Sequence, residues 1–157
     1  MGPAVTNARP RVYLDANVFV AAFEHVGAHS DHAWWIMRAV EGGEIAAGTS
    51  EITLAELLVK PFEIGATDLA KGYESMIVSG SNFDVLPVRR DILVSAAALR
   101  ARRTSIRLPD AVHIATAQAL SCGFFISDDR RLSMPDGIRM LAVNPFTLDD
   151  ILGNKPS

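Results

Sequence analysis

Cysteine is almost missing from this sequence: Cys122 stands alone, so no intrachain disulfide can form and the chain suits a reducing compartment. Its position just before Gly123 reads as a small buried residue at a helix end. Long apolar runs are missing too, and none approaches the ~20 residues that a membrane-spanning helix requires. The stretch from Val12 to Phe23 comes nearest to a signal-peptide core, but Asp15 and Asn17 interrupt it and no small-residue cleavage site follows. A cytoplasmic location with no membrane partner is the default expectation. Net charge is only -3, which gives no global signal for a polyanionic or membrane partner. Internal repeats, low-complexity tracts and linkers do not occur. A chain of 157 residues with 49% hydrophobic content suits one domain with a real core.

Lysine is scarce as well: twelve of the fifteen basic residues are arginine, and no lysine occurs between Lys71 and Lys155. Nine of the twelve arginines lie between Arg89 and Arg139, among only five acids, whereas eleven acids lie between Asp15 and Asp84. The third quarter of the chain is therefore locally basic and rich in the side chain that grips phosphate bidentately. Solvated helix faces explain the Arg89 to Arg107 group equally well.

From Arg11 onward, short apolar runs alternate with longer periodic ones, the pattern of a parallel sheet with crossover helices. Strands are expected at "RVYLD" (11–15), "EIAAGTS" (44–50), "FDVLPV" (83–88), "FFIS" (124–127) and "RMLAV" (139–143). Ser30 reads as the cap of a helix that ends at Gly42 and Gly43, and Thr67 as the start of one that stops near Gly80. "RRDILVSAAALRARR" is a strong helical pattern, and Pro109 opens "PDAVHIATAQALSCG" with its stop at Gly123. A short helix, "TLDDIL", closes the chain. The expectation is an arm over 1–10, one domain over 11–152 and a tail over 153–157. Its fold class is α/β: a three-layer α/β/α sandwich of about six helices around a central, mostly parallel five-stranded sheet. Ligands in such folds bind beyond the carboxyl ends of the strands, where strand order reverses.

The acids fall at those ends. Asp15 closes the first strand in "YLDANVF", where it could cap the following helix. Thr53-x-x-Glu56 fits a capping box. Asp110 lies in a first helical turn, where the macrodipole favours a carboxylate, and His113 follows one turn later on the same face. A lone histidine there more often packs or hydrogen-bonds than binds metal. Asp128 and Asp129 close the fourth strand, near Asp15 if that strand neighbours the first. Each acid has a structural explanation, yet all gather on one side of the sheet. Converging carboxylates repel unless a cation is present, and Mg²⁺ takes oxygen ligands, often alongside substrate phosphate. Such a site can activate water and steady the charge that develops in phosphodiester cleavage. Neighbouring arginines could hold the polyanion.

The ordered set "VYLDANVFVAAF", "SEITLAELL" and "LPDAVHIATAQALSCGFFISDDRRL" resembles the PIN domain, and most of all the VapC-type toxins of bacterial toxin-antitoxin pairs. The resemblance implies an endoribonuclease dependent on Mg²⁺ or Mn²⁺, an RNA substrate, an antitoxin that covers the site, and homodimerisation. Carried over by position, Asp15 and Asp110 match the acids that bind the metal most directly. Glu56 matches the second acid, and Asp129 the fourth, third in a Ser-x-Asp pattern. Asp128 stands where the family varies and could hold a metal-bound water. Asn17 and Ser127 are expected as supports, and Arg103, Arg107, Arg130 and Arg131 as phosphate contacts. Hydrolysis is expected to leave a 3'-hydroxyl and a 5'-phosphate.

Two other readings compete. A PIN scaffold could bind RNA or protein without turnover, although none of the acids is missing. A haloacid-dehalogenase-like phosphatase also places a nucleophilic Asp after its first strand. Asn17 then stands where its acid-base should be, and the expected lysine is absent.

Overall fold

The computed structural model describes residues 8–154. Its elements run β1 (Arg11–Leu14), α1 (Ala16–Glu24), α2 (Ala28–Glu41), β2 (Ala46–Ser50), α3 (Glu51–Glu63), α4 (Thr67–Met76), β3 (Phe83–Leu86), α5 (Arg90–Arg102), α6 (Leu108–Ala119), β4 (Phe124–Ile126), β5 (Arg139–Leu141) and α7 (Thr147–Leu152). The five strands form one sheet in the order β3-β2-β1-β4-β5, every pair parallel. This is the expected α/β sandwich. Residues 1–7 of the expected arm and 155–157 of the tail lie outside the described residues. Arg9 donates to Gly43 O (3.3 Å) and Asn82 Oδ1 (2.6 Å), and Ala46 N donates to Pro10 O (2.9 Å), so the packed chain begins before β1.

Strand alternation decides what each helix layer meets. Val12 and Leu14 point into a core built with Val18, Phe19, Ile36 and Val40 from α1 and α2, Leu57 from α3 and Tyr73 from α4. Tyr13, between them, points to the opposite face with Phe125, Ile114 and Ala117. A further cluster joins Ile92 and Ala96 of α5 to Ala111, Val112 and Ala115 of α6. Both faces of β1 and β4 are covered, which is why those strands read as unbroken apolar runs rather than alternating ones. Each fully buried large side chain here contributes about 1.5–3 kcal/mol, so the double-sided burial dominates the stability.

Local signals are less faithful at helix ends. Ser30 does not cap α2: the N-cap is Gly27 at φ 98°, and Ser30, inside the helix, donates its hydroxyl to Ala22 O (3.2 Å). α3 begins at Glu51 with Ser50 as its cap, accepting from Ile52 N, so Thr53 and Glu56 form no capping box. Thr53 is instead buried against Thr49 (Oγ1 to Oγ1 2.7 Å), and Thr49 donates to Leu14 O. Pro109 is the second residue of α6 rather than the first. The turn after α6 takes its positive φ at Ser121 (55°), not at Gly123.

Candidate metal centre

The sheet order reverses beside β1: β2 and β3 lie on one side, β4 and β5 on the other. That switch point opens a crevice at the carboxyl ends of β1 and β4. Asp15 leaves β1 into it, and Ser127 leaves β4 beside it. Asp15 N donates to Ile126 O (3.1 Å), and the side chains complete the join. Ser127 Oγ donates to Asp15 Oδ2 (2.6 Å), and Asn17 Nδ2 donates to Ser127 Oγ (2.9 Å) and Asp15 Oδ2 (3.3 Å). Asp15 Oδ1 accepts from Ala16 N (2.9 Å), so the carboxylate also caps α1. Burial raises the Asp15 pKa, an effect that the His113 charge, the Ser127 hydroxyl and the Ala16 amide only partly offset. A buried carboxylate of this kind is stabilised by a cation.

Glu56 reaches the same place from α3, and His113 from α6. Oxygens of Asp15 and Glu56 and a ring nitrogen of His113 lie within 4.8 Å of one another. His113 Nε2 is 2.9 Å from Glu56 Oε2 and 3.9 Å from Asp15 Oδ1, while its Nδ1 is 2.7 Å from Tyr13 Oη. His113 thus bridges Glu56 at one ring nitrogen and Tyr13 at the other. Burial alone would lower the His113 pKa. The Glu56 hydrogen bond and the charges of Glu56, Asp15 and Asp110 outweigh burial and hold it above its ordinary value. Two carboxylates and an imidazole, the latter fixed by the buried Tyr13, make a donor set that fits a divalent cation. Sequence reasoning gives His113 no place in the site. Two spacings carry the signal: Asp110 to His113 on one helix face, and Tyr13 to Asp15 on one face of a strand.

Asp110 and Asp129 stand outside this three-residue group, each paired with an arginine. Arg107 Nε donates to Asp110 Oδ2 (3.1 Å). Arg131 donates through Nε (2.9 Å) and Nη2 (2.8 Å) to the two Asp129 oxygens, and its backbone N adds a third bond (3.0 Å). These bonds hold the Asp129 carboxyl at about 2, with a smaller contribution from the Arg107 charge. Asp129 N also donates to Ser127 Oγ (3.1 Å), which ties the backbone here to the end of β4. Asp128 turns the other way: its Oδ1 accepts from Val143 N (2.9 Å), and its Oδ2 lies 2.9 Å from His29 Nε2. The adjacent aspartates thus face different surroundings. Arg103 donates through Nη1 to Ser133 Oγ (2.8 Å) and O (3.3 Å), whereas Arg130 is exposed.

A doubly wound parallel sheet with Asp15, Glu56 and His113 drawn together at its switch point defines the class of α/β domain. Within that class the PIN domain family model matches residues 12–137. The chain belongs to the PIN domain family. No curated protein matches it. Among solved structures it is similar to a toxin-antitoxin complex from Klebsiella pneumoniae, with 22% identity and a TM-score of 0.57 over 81% of this chain and 94% of that one. VapBC2 from Rickettsia felis, bound to a DNA fragment from its promoter, aligns with 13% identity and a TM-score of 0.65 over 85% of this chain and 99% of that one. FitAB bound to an IR36 DNA fragment aligns with 16% identity and a TM-score of 0.50 over 83% and 94%. At these identities the likeness is one of fold.

Proposed function

We propose that this protein is a Mg²⁺- or Mn²⁺-dependent endoribonuclease acting as the toxin of a toxin-antitoxin pair. The observation that carries the reading is the buried Asp15 carboxylate at the switch point, with Glu56 and His113 beside it as possible ligands. Asp15 and Asp110 would hold the cation directly, with Glu56 and Asp129 as further ligands, directly or through water. When bound, the cation lowers the pKa of a water nucleophile and stabilises charge on the phosphate. Ser127 and Asn17 fix the Asp15 carboxylate by their hydrogen bonds. His113 orients Glu56, and Arg107 and Arg131 hold Asp110 and Asp129 in place. Asp128, joined to Val143 and His29, positions the loop that carries Asp129.

The partner reading rests on the solved relatives, which are toxin-antitoxin complexes. A cognate antitoxin would cover the acids, and a second copy of the chain would form a homodimer. Trp34, Trp35 and Phe23 leave apolar surface on α1 and α2 that either could use. Among the described residues no helix is long and apolar enough to cross a membrane. Isothermal titration with Mn²⁺ tests the centre: the parent should bind, and Asp110→Asn should bind at least about tenfold more weakly. A parent that binds no Mn²⁺ would favour an inert scaffold.

A further inference from the structure

Beside the carboxylates lies a cavity of about 440 Å³ lined by Arg103, Arg107, Arg131, Ser105 and Ser133 and floored by Ile106, Ile114 and Leu132. Asp110 forms its wall toward the metal centre. Its volume falls within the roughly 300–1,000 Å³ of small-molecule sites. A second cavity of about 320 Å³, lined also by Arg102 and Pro135, shares Arg103, Ile106, Ile114 and Ser133 with the first, so the two are lobes of one groove. The groove runs between the α5–α6 turn and the loop from β4 to β5.

The arginines here are oriented yet keep donors to spare. A guanidinium carries five N–H donors. Arg107 uses Nε alone on Asp110, Arg131 uses Nε and Nη2 on Asp129, and Arg103 uses Nη1 on Ser133. A fork anchored at one edge keeps its other edge for a phosphate with little rotamer entropy left to lose. The apolar floor between the forks has no use for a phosphate and suits the face of a base.

We propose that this groove is an RNA subsite, in which Arg103, Arg107 and Arg131 grip the phosphate next to the scissile one and Ile106 and Leu132 support its base. The inference rests on the ribonuclease reading of the adjacent carboxylates. Beyond the cation contacts proposed above, Asp110 and Asp129 also orient the guanidinium groups of Arg107 and Arg131 toward the neighbouring phosphate. Occupancy of the groove then sets where along the strand the cut falls.

Fluorescence anisotropy with a short fluorescein-labelled single-stranded RNA in EDTA, where metal-dependent cleavage cannot run, tests the subsite. Arg103→Gln, Arg107→Gln and Arg131→Gln should each weaken binding about tenfold and flatten the log-affinity against log-salt slope by about 0.7 per lost contact. Ser133→Ala, which frees Arg103 without removing charge, should weaken it less. Arg90→Gln, about 18 Å away at the far end of α5, should match the parent. In Mg²⁺, Arg103→Gln should raise KM and leave kcat nearly unchanged. Groove variants that bind like the parent, or an Arg90→Gln variant weakened as much as they are, would overturn the subsite. A parent that binds RNA through these arginines but cleaves nothing in Mg²⁺ or Mn²⁺ would instead defeat the ribonuclease reading alone.

Discussion

Asp15 serves the fold and the site with one carboxylate: Oδ1 caps α1 at Ala16, and Oδ2 receives Ser127 and Asn17. Asparagine caps helices as well as aspartate does, and it carries no buried charge. Asp15→Asn should therefore keep stability within about 1 kcal/mol of the parent in urea denaturation. The neighbours Asp128 and Asp129 should separate. Asp128→Ala strands the Val143 amide, which costs about 1–2 kcal/mol, a fall of about 2–8 °C in Tm. Asp129→Ala breaks an exposed arginine pair that contributes little stability, so it should leave Tm nearly unchanged and slow cleavage more than Asp128→Ala does. The Ser-x-Asp register alone ranks Asp129 above Asp128. Nothing local foretells that Asp128 reaches Val143, fifteen residues on. Burial pushes the Cys122 thiol up to about 12 from 9.0. With the folded pKa raised, its stability contribution is complete below pH 9 and is lost as pH climbs through about 12. A thiol reagent at about pH 8 should accordingly ignore the native protein and label it once it is unfolded, a contrast that mass spectrometry measures directly.

The central strands are legible because double-sided burial makes them short apolar runs, and all five expected segments contain the observed ones. Helix ends are not. Ser30, Thr53 and Pro109 each carry a local capping signal, and each is displaced or overruled by a partner distant in sequence or by a better-placed neighbour. Thr53 is taken by Thr49, which itself donates to the Leu14 carbonyl of β1, and Ser50 caps α3. Freed from the capping box, Glu56 turns to His113, so an error about a helix end is also an error about the site. β2 shows packing that propensity does not report. A Cβ at Gly48 would come within 2.5 Å of Leu120 Cδ1 and 3.2 Å of Asp84 O. Leu120 can swing away, but the β3 backbone cannot, so Gly48→Ala should destabilise by about 1–3 kcal/mol. Chemical denaturation measures that cost, and an unchanged midpoint would show that β3 gives way.

At the scale of the molecule, charge and topology reinforce one another. A net charge of -3 conceals a division that folding makes spatial: acids converge at the switch point, and arginines from 103 to 131 line the groove beside them. Sequence order can place each acid at a strand end or in an early helical turn, but only the pairing of β1 with β4 brings Ser127 to Asp15. Under the proposed function, a polyanion bound across this surface would meet arginines first and carboxylates next, with a cation offsetting the charge of Asp15 and Glu56. Cleavage of single-stranded RNA in Mg²⁺ by the parent and by folded Asp15→Asn is the most direct test. The parent should cleave, EDTA should stop it, and Asp15→Asn should lose at least about a hundredfold in rate. An Asp15→Asn variant that cleaves as fast as the parent would contradict the proposed metal centre.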